Sequence, residues 1–345
     1  MTEGDTVELS LQRVSMADSI SVHDDITDVP GLRVGHSQDK SAKTGVTVIL
    51  PPPGGTPAGV HVGGNASSTR QMDSLRPTHL IGRVDGICFC GGSAFGLDAV
   101  GGVLAHLERN NIGIPVTGRT IPIVPSAAIF DLNFGDASVR PDWEMGFEAC
   151  ARAASEPVPQ GSVGAGTGAT VGKLLGIDQA MKGGLGSASE RSGDLVVGAL
   201  VVVNAYGDVI DRDGSVLAGV RQSPESIAPA NAAELLREGK AISRSVAVEN
   251  TTLAVVAINA RLDKITASRI ASQATLGLGR VISPFHTEID GDLTVVMGVG
   301  DRFEEPSRMG LLAGDALQRA VIRAVENADG FGILPARRDV VAGKA

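Results

Sequence analysis

The sequence predicts an α/β protein built as a layered sandwich, with β-sheets inside and helices outside. The run Thr252–Ile258 is too short and too rich in Val and Ile for a helix, and Leu195–Val203 is a longer apolar run of the same kind. Both are typical of fully buried strands. Other segments, such as Leu97–Glu108, have the apolar spacing of a helix. Strand and helix do not alternate strictly, which favours a sandwich over a doubly wound nucleotide-binding fold.

The remaining elements follow from local composition. Residues 1–25 are predicted to form a flexible arm and 26–345 a single domain. The polar segment 215–245 is predicted to be a functional or mobile connector. Glycine accounts for 45 of 345 residues, and its clusters mark turns, so 183–193 is predicted to be a loop. The other predicted elements are a turn with a short strand within 28–36, strands at 44–50, 85–90, 194–204, 209–211, 252–258 and 293–299, and helices at 97–108, 141–154, 262–276 and 310–326.

Composition excludes several classes of function. A net charge of −9 and a pI near 5.2 argue against binding to nucleic acid or to anionic membranes. Three cysteines, Cys88, Cys90 and Cys150, cannot form a disulfide framework and are expected to be buried thiols. No apolar run approaches 18 residues, and Met1–Asp18 lacks the pattern of a signal peptide. We therefore expect a soluble, cytoplasmic protein.

The segment around Thr251 is the strongest candidate for chemistry. Asn250-Thr251-Thr252 stands directly before the buried strand that ends at Ile258, so the Thr251 hydroxyl is expected to be held rigidly and partly dehydrated. A threonine becomes a strong nucleophile when its own backbone nitrogen is a free amine that can accept the hydroxyl proton. This requires cleavage of the Asn250–Thr251 bond. Taken alone, the same residues also fit an ordinary turn entering a strand.

Other motifs are incomplete. The segment 164–173 resembles a phosphate-binding loop, but Thr167 replaces a required glycine and Leu174 replaces the required serine or threonine. Ser93 suggests a nucleophile elbow, but Phe95 stands where that motif requires glycine. Nucleotide binding and a serine-elbow hydrolase are therefore disfavoured.

The segment from Pro284 to Asp292 allows two further interpretations. His286 could act as the base of a catalytic triad, although no serine motif accompanies it. Glu288, Asp290 and Asp292 alternate along an extended segment and could bind a metal, but no histidine pair or calcium-loop pattern stands beside them. We predict no metal site.

Four residues could complete an N-terminal nucleophile site. Lys173 is a lysine within a glycine-rich loop, and Asn204 ends a buried strand with an amide donor. Asp290 and Asp292 precede another strand. A cation, an oxyanion donor and orienting carboxylates are the parts that such a nucleophile needs.

The chain resembles the DmpA-type peptidases, which include L-aminopeptidase D-Ala-esterase/amidases, β-aminopeptidases and the nylon-oligomer hydrolases. The likeness extends over nearly the whole chain from about residue 25, and the motifs keep their order. The matching segments are 26–36 (ITDVPGLRVGH), 44–48 (TGVTV), 91–97 (GGSAFGL), 125–131 (PSAAIFD), 164–169 (GAGTGA) and 250–253 (NTTL).

This resemblance implies a four-layer αββα sandwich of the N-terminal-nucleophile type, like that of DmpA and ornithine acetyltransferase. It also implies self-cleavage into a large chain, 1–250, and a small chain, 251–345, and assembly into a homo-oligomer, often a tetramer. No cofactor is required. The expected partners are the two chains of one precursor and a small peptide or amide substrate.

The resemblance also implies a role for each candidate residue. Thr251 takes the place of the nucleophile, Lys173 that of the neighbouring lysine and Asn204 that of the oxyanion asparagine. Asp290 and Asp292 match the acidic pair of the threonine branch.

The substrate site is less well defined. Phe130 falls where some members have a tyrosine, so it is assigned only to the pocket wall, together with Gly92 and Ser93. L-peptides, D-amino-acid amides, β-peptides and ω-amino-acid oligomers all fit as substrates. The alternatives are acyl transfer of the ornithine acetyltransferase type and a non-enzymatic scaffold of the same fold.

Overall fold

The computed structural model describes residues 22–240 and 250–343. The strands within these ranges are β1 (Arg33–Asp39), β2 (Thr44–Leu50), β3 (Ala58–Val62), β4 (Ser68–Arg70), β5 (Ile87–Cys90), β6 (Ile114–Val116), β7 (Arg119–Ile121), β8 (Ser126–Ala128), β9 (Thr170–Val171), β10 (Met181–Lys182), β11 (Gly184–Ser192), β12 (Leu195–Asn204), β13 (Asp208–Ile210), β14 (Val216–Ala218), β15 (Thr251–Ala260), β16 (Ile282–Ser283) and β17 (Leu293–Arg302). The helices are α1 (Ser93–Gly96), α2 (Ala99–Arg109), α3 (Trp143–Ala151), α4 (Ala232–Arg237), α5 (Lys264–Leu278), α6 (Pro306–Glu326) and α7 (Arg337–Val341).

Two five-stranded sheets form the centre of the molecule. One has the strand order β1-β2-β5-β8-β4, and the other has the order β11-β12-β15-β17-β3. In the second sheet β15 is central, antiparallel to β12 and parallel to β17. Its side chains are buried on both faces, which explains the continuous apolar composition of the segment.

The two sheets pack face to face, and helices cover their outer faces. Apolar side chains of both sheets, such as Phe89 and Val255, share one core. Helices α2 and α3 pack on the first sheet, and α5 and α6 pack on the second. The layers are therefore helix, sheet, sheet and helix, which confirms the predicted αββα sandwich.

The segment 183–193, predicted to be a loop, is instead largely strand β11, and that prediction was wrong. Gly184 and Gly186 serve close packing, and only Gly193 at the end of the segment lies in a turn. A Cβ atom on Gly186 would lie 1.9 Å from the carbonyl oxygen of Ala320 in α6, and one on Gly184 would lie 2.5 Å from that of Ala324. Glycine thus lets the helix backbone lie directly on the strand.

Two further predicted segments are described only in part. The connector predicted at 215–245 contains β14 and α4 within its described part, and residues 241–249 lie outside the described residues. Of the predicted arm, residues 1–21 lie outside the described residues. The carboxylate of Asp24 pairs with Arg319 and Arg323 of α6. Asp24, which the sequence analysis assigned to the arm, therefore contacts helix α6.

Two further observations concern sequence-based expectations. Cys88, Cys90 and Cys150 are buried free thiols, as predicted, and burial raises the pKa of Cys88 to about 12. None of the helices in the described ranges combines the length and the apolar character that a membrane span requires.

Candidate active site

Thr251 is the first residue of β15, the central strand of the second sheet. It lies opposite Asn204, the last residue of β12. Thr251 is only 4% exposed, and the strand that follows it is apolar on both faces. The hydroxyl is thus held at the edge of a rigid, water-poor core, as the sequence predicts.

The Asn250 carbonyl, which belongs to the predicted cleavage bond, accepts two hydrogen bonds. The Thr251 Oγ1 hydroxyl donates to the Asn250 oxygen over 2.6 Å, and the Gly291 N–H donates to the same oxygen over 2.8 Å. A Cβ on residue 291 would lie 2.8 Å from Thr251 Oγ1, so glycine leaves the room that the hydroxyl occupies. The hydroxyl therefore lies against the bond that it is predicted to break, and a second donor polarises the same carbonyl.

Lys173 is buried beside Asn204. Its Nζ donates to Asn204 Oδ1 over 2.8 Å, to the Asn204 carbonyl over 2.9 Å and to the Thr170 carbonyl over 3.3 Å. Gly172 precedes it with φ of +72°, and a Cβ there would lie 2.0 Å from the Val220 nitrogen. The glycine-rich segment thus carries a cation into the core.

The amide of Asn204 has a defined orientation. Because an ammonium group only donates, the atom that faces Lys173 must be the oxygen, which also accepts from the Thr170 N–H over 3.0 Å. The Asn204 Nδ2 group donates to the Phe130 carbonyl over 3.1 Å. The amide therefore connects the lysine, the end of β12 and the segment that carries Phe130.

Asp290 lies on the other side of Thr251. Its Oδ2 accepts from the N–H and the hydroxyl of Thr287 over 2.7 and 2.6 Å. Burial raises its pKa to about 6, the negative charge of Asp292 adds to this rise, and the positive charge of Lys173 opposes it. At neutral pH Asp290 is thus ionised, although its surroundings disfavour the negative charge.

Asp292 links the start of β15 to a histidine. Its Oδ1 accepts from the Thr252 N–H over 2.5 Å, and its Oδ2 lies 3.0 Å from His286 Nδ1. The structure therefore brings together Thr251, Lys173, Asn204, Asp290 and Asp292. The ring of His286 is directed at Asp292, a pairing that the sequence analysis did not predict. The one feature of the sequence that points to it is that the two residues lie six positions apart in the same polar segment.

The predicted wall residues surround the same segment of backbone. The Gly92 N–H donates to Asp131 Oδ1 over 2.6 Å, and the Ser93 N–H donates to the Ile129 carbonyl over 2.9 Å. Phe130 is half-buried between these two partners and meets Asn204 through its carbonyl. The role of Phe130, Gly92 and Ser93 in substrate binding stays a prediction.

A second buried lysine escaped the sequence analysis. Lys182 Nζ donates to the carbonyls of Ala169, Gly183 and Gly166 over 2.6, 2.9 and 3.1 Å. Burial lowers its pKa to about 7, and burial raises the pKa of nearby Asp131 to about 6. Because Lys182 binds the turn that precedes Thr170 and Lys173, it supports the segment that delivers Lys173.

The four-layer fold is that of the N-terminal-nucleophile hydrolases, and within it the predicted site residues lie around Thr251. The chain belongs to peptidase family S58, whose profile matches residues 24–338. It is therefore an enzyme that hydrolyses peptide or related amide bonds.

Among its relatives, an uncharacterised aminopeptidase of Mycobacterium tuberculosis is 38% identical over an alignment 347 positions long, which covers 92% of this chain and 98% of that protein. A 6-aminohexanoate-oligomer endohydrolase of Paenarthrobacter ureafaciens is 31% identical and matches 83% of this chain and 78% of its own length.

Solved structures agree with the fold. A β-aminopeptidase of a Burkholderia species superposes with a TM-score of 0.66 at 24% identity, covering 89% of this chain and 87% of the other. The L-aminopeptidase D-Ala-esterase/amidase of Ochrobactrum anthropi, described as a variant of the N-terminal-nucleophile hydrolase fold, superposes with a TM-score of 0.62 at 19% identity and the same coverage. The resemblance predicted from the sequence is confirmed.

Proposed function

We propose that the chain cuts itself between Asn250 and Thr251 and that the new N-terminal threonine is the nucleophile of the hydrolase. The observation that carries the proposal is the contact of 2.6 Å between Thr251 Oγ1 and the Asn250 carbonyl oxygen, which also accepts the Gly291 N–H. A nucleophile in contact with a carbonyl that a second donor polarises has two of the parts that acyl transfer needs.

Self-cleavage takes two steps. Thr251 Oγ1 attacks the Asn250 carbonyl carbon, and the negative charge that develops on the oxygen is stabilised by the Gly291 N–H. The C–N bond then breaks, the proton of the Thr251 hydroxyl passes to the Thr251 nitrogen, which becomes an amine, and Asn250 is left as an ester on Oγ1. Water hydrolyses this ester, which frees the Asn250 carboxylate and the Thr251 hydroxyl.

The freed amine then acts as the base when the substrate is hydrolysed. An α-amino group has an ordinary pKa near 7.7–8.0, and a neighbouring positive charge lowers the pKa of an amine. Lys173 supplies that charge, since its ammonium is held on Asn204 opposite Thr251. The neutral amine takes the hydroxyl proton while Oγ1 attacks the substrate carbonyl. The protonated amine then gives that proton to the departing nitrogen of the substrate as the C–N bond breaks, and water hydrolyses the resulting ester to release the acyl group.

Asn204 is the proposed donor to the oxyanion of the substrate. Its position across from Thr251 and the orientation of its amide, with Oδ1 on Lys173, support this role. Asp290 and Asp292 are proposed to orient the nucleophile, and Phe130, Gly92 and Ser93 to line the substrate site. The proposed substrates are small peptides, amino-acid amides or ω-amino-acid oligomers.

Intact mass and N-terminal sequencing of the purified protein test the proposal directly. We expect two chains, 1–250 and 251–345, with Thr251 as the new N-terminus. Thr251→Ala should give one uncut chain without amidase activity, whereas Thr251→Ser keeps a hydroxyl and should retain both cleavage and hydrolysis. Wild-type activity in an uncut Thr251→Ala protein would refute the assignment. A panel of amino-acid p-nitroanilides and aminohexanoate oligomers would then identify the substrate class.

The family resemblance further supports a homotetramer, and a cytoplasmic location is proposed beside it. Light scattering coupled to size-exclusion chromatography tests the first proposal. Fractionation of the source cells tests the second.

A further inference from the structure

His286 is connected to the nucleophile by a chain of hydrogen bonds. Its Nδ1 lies 3.0 Å from Asp292 Oδ2, and Asp292 Oδ1 accepts from the N–H of Thr252, the residue that follows Thr251. A carboxylate has no proton to give, so the ring nitrogen must be the donor. The two oxygens of one carboxylate thus join a histidine to the backbone of β15.

Packing fixes the orientation of the His286 ring. The ring stacks on Phe285 with 4.0 Å between centroids and an interplanar angle of 22°, and the His61 ring lies 5.9 Å away. A Cβ on Gly63 would lie 2.1 Å from His286 Nε2, so only glycine leaves space for the ring. Nε2 is buried and has no hydrogen-bond partner among the described residues. The ring therefore presents Nδ1 to Asp292 through its packing.

The backbone of His286 is itself in an unusual conformation. Its φ of +56° lies in the left-handed region, where eight other non-glycine residues of the described ranges also lie. This conformation is uncommon for non-glycine residues, although histidine is among those enriched in it.

We propose that His286 is a positioning residue that holds the Asp292 carboxylate and, through it, the start of β15, so that Thr251 Oγ1 stays in reach of the carbonyl that it attacks. The inference rests on the proposed function. His286 acts through Asp292 and takes no proton from Thr251, because its ring contact is with the carboxylate. Partners of this kind, which orient a functional group without touching the reacting atoms, commonly change activity by about 10–100-fold when removed.

Three substitutions of His286 distinguish the effect of the hydrogen bond from the effects of side-chain volume and of backbone strain. The side-chain nitrogen of asparagine can take the position of Nδ1, and asparagine tolerates a left-handed φ. Glutamine instead directs its amide toward the position of Nε2, which has no partner in the described structure. Glycine relieves the backbone strain but offers no donor. His106→Asn, in α2 on the other sheet, is the matched control.

The experiment follows self-cleavage of the full-length chain by intact mass, and then kcat and KM of the cut enzyme. We expect His286→Gly and His286→Gln to slow self-cleavage and lower kcat at least about tenfold with little change in KM. His286→Asn should stay within about threefold of wild type, and His106→Asn should equal it. Wild-type rates in His286→Gly, or an equal defect in the Asn and Gln variants, would overturn the inference. Failure of the wild-type chain to cut before Thr251 would instead refute the proposed function.

Discussion

The buried carboxyl group of Asp290 makes the stability of the protein depend on pH in an unusual direction. Burial and the charge of Asp292 raise its pKa from 3.8 to about 6. The folded state therefore binds a proton more tightly than the unfolded state. The stability that this proton provides is fully present below about pH 4 and is lost as the pH rises to about 6. At about 1.4 kcal/mol for each pH unit, the loss amounts to roughly 3 kcal/mol at neutral pH.

Asp290→Asn should remove this loss of stability at neutral pH. An amide carries no charge to bury, and its oxygen can still accept the two hydrogen bonds from Thr287. We expect the variant to raise the free energy of unfolding by up to about 3 kcal/mol at pH 7.5 and by only about 1 kcal/mol at pH 4.5. Because Asp290 belongs to the proposed site, the same change should lower the rate of hydrolysis when Thr251 is intact.

The assay is urea unfolding of the purified chain between pH 4.5 and 7.5 in a Thr251→Ala background, which keeps every molecule uncut. Asp263→Asn is the control with the opposite sign. That exposed carboxylate accepts the Thr266 N–H at the start of α5, and this bond lowers its pKa. Its contribution to stability is therefore fully present throughout pH 4.5–7.5, so Asp263→Asn should lower the free energy of unfolding by the same amount across this range. An Asp290→Asn protein whose stability difference from Asp290 is the same at pH 4.5 and 7.5 would refute the reasoning.

Two substitutions of glycine test the close contacts at the site and in the core. Gly291→Ala places a Cβ 2.8 Å from Thr251 Oγ1. It should slow self-cleavage at least about tenfold, measured as the rate of loss of the uncut chain; cutting at the wild-type rate would contradict the proposed geometry. Gly186→Ala places a Cβ 1.9 Å from the Ala320 carbonyl oxygen and should lower the free energy of unfolding by about 1–3 kcal/mol. Gly82→Ala, where a Cβ would meet nothing within 4 Å, should change that free energy by less than about 0.5 kcal/mol.

The central strands were predicted correctly because their signal is local. Unbroken runs of Val, Leu and Ala place β12 and β15 within two residues of their observed ends. Helix α5 was predicted to start at Leu262 and starts at Lys264, where the Asp263 side chain caps the first turn. In each case the residues that define the element lie within it, so the sequence alone contains the information.

Strand β11 was missed because its composition reflects a distant contact. The glycines of 184–192 exist for the approach of α6, more than a hundred residues later in the chain. A rule that assigns glycine clusters to turns has no access to that packing. The same limit applies to Lys182. Its three hydrogen-bond partners are backbone carbonyls, which every residue type has, so no residue in the sequence identifies them.

The site itself depends on sheet order, which local patterns do not contain. Asp292 meets the Thr252 N–H only because β17 lies parallel to β15 with Leu293 opposite Leu253. The identities of Lys173, Asn204, Asp290 and Asp292 came from resemblance to a family. These residues lie together around Thr251 because of the register in which the strands pair.

The same register explains how a newly made chain end could serve as a catalyst. Chain termini usually fray, and a loose amine would lose the alignment that catalysis requires. A cut before Thr251 would place the new terminus at the start of a central strand, paired with β12 on one side and β17 on the other. Asp292 would still hold the N–H of the second residue, and Lys173 and Asn204 would still lie opposite the first. The free energy that keeps the amine in place is thus the free energy of sheet formation, which does not depend on the severed bond.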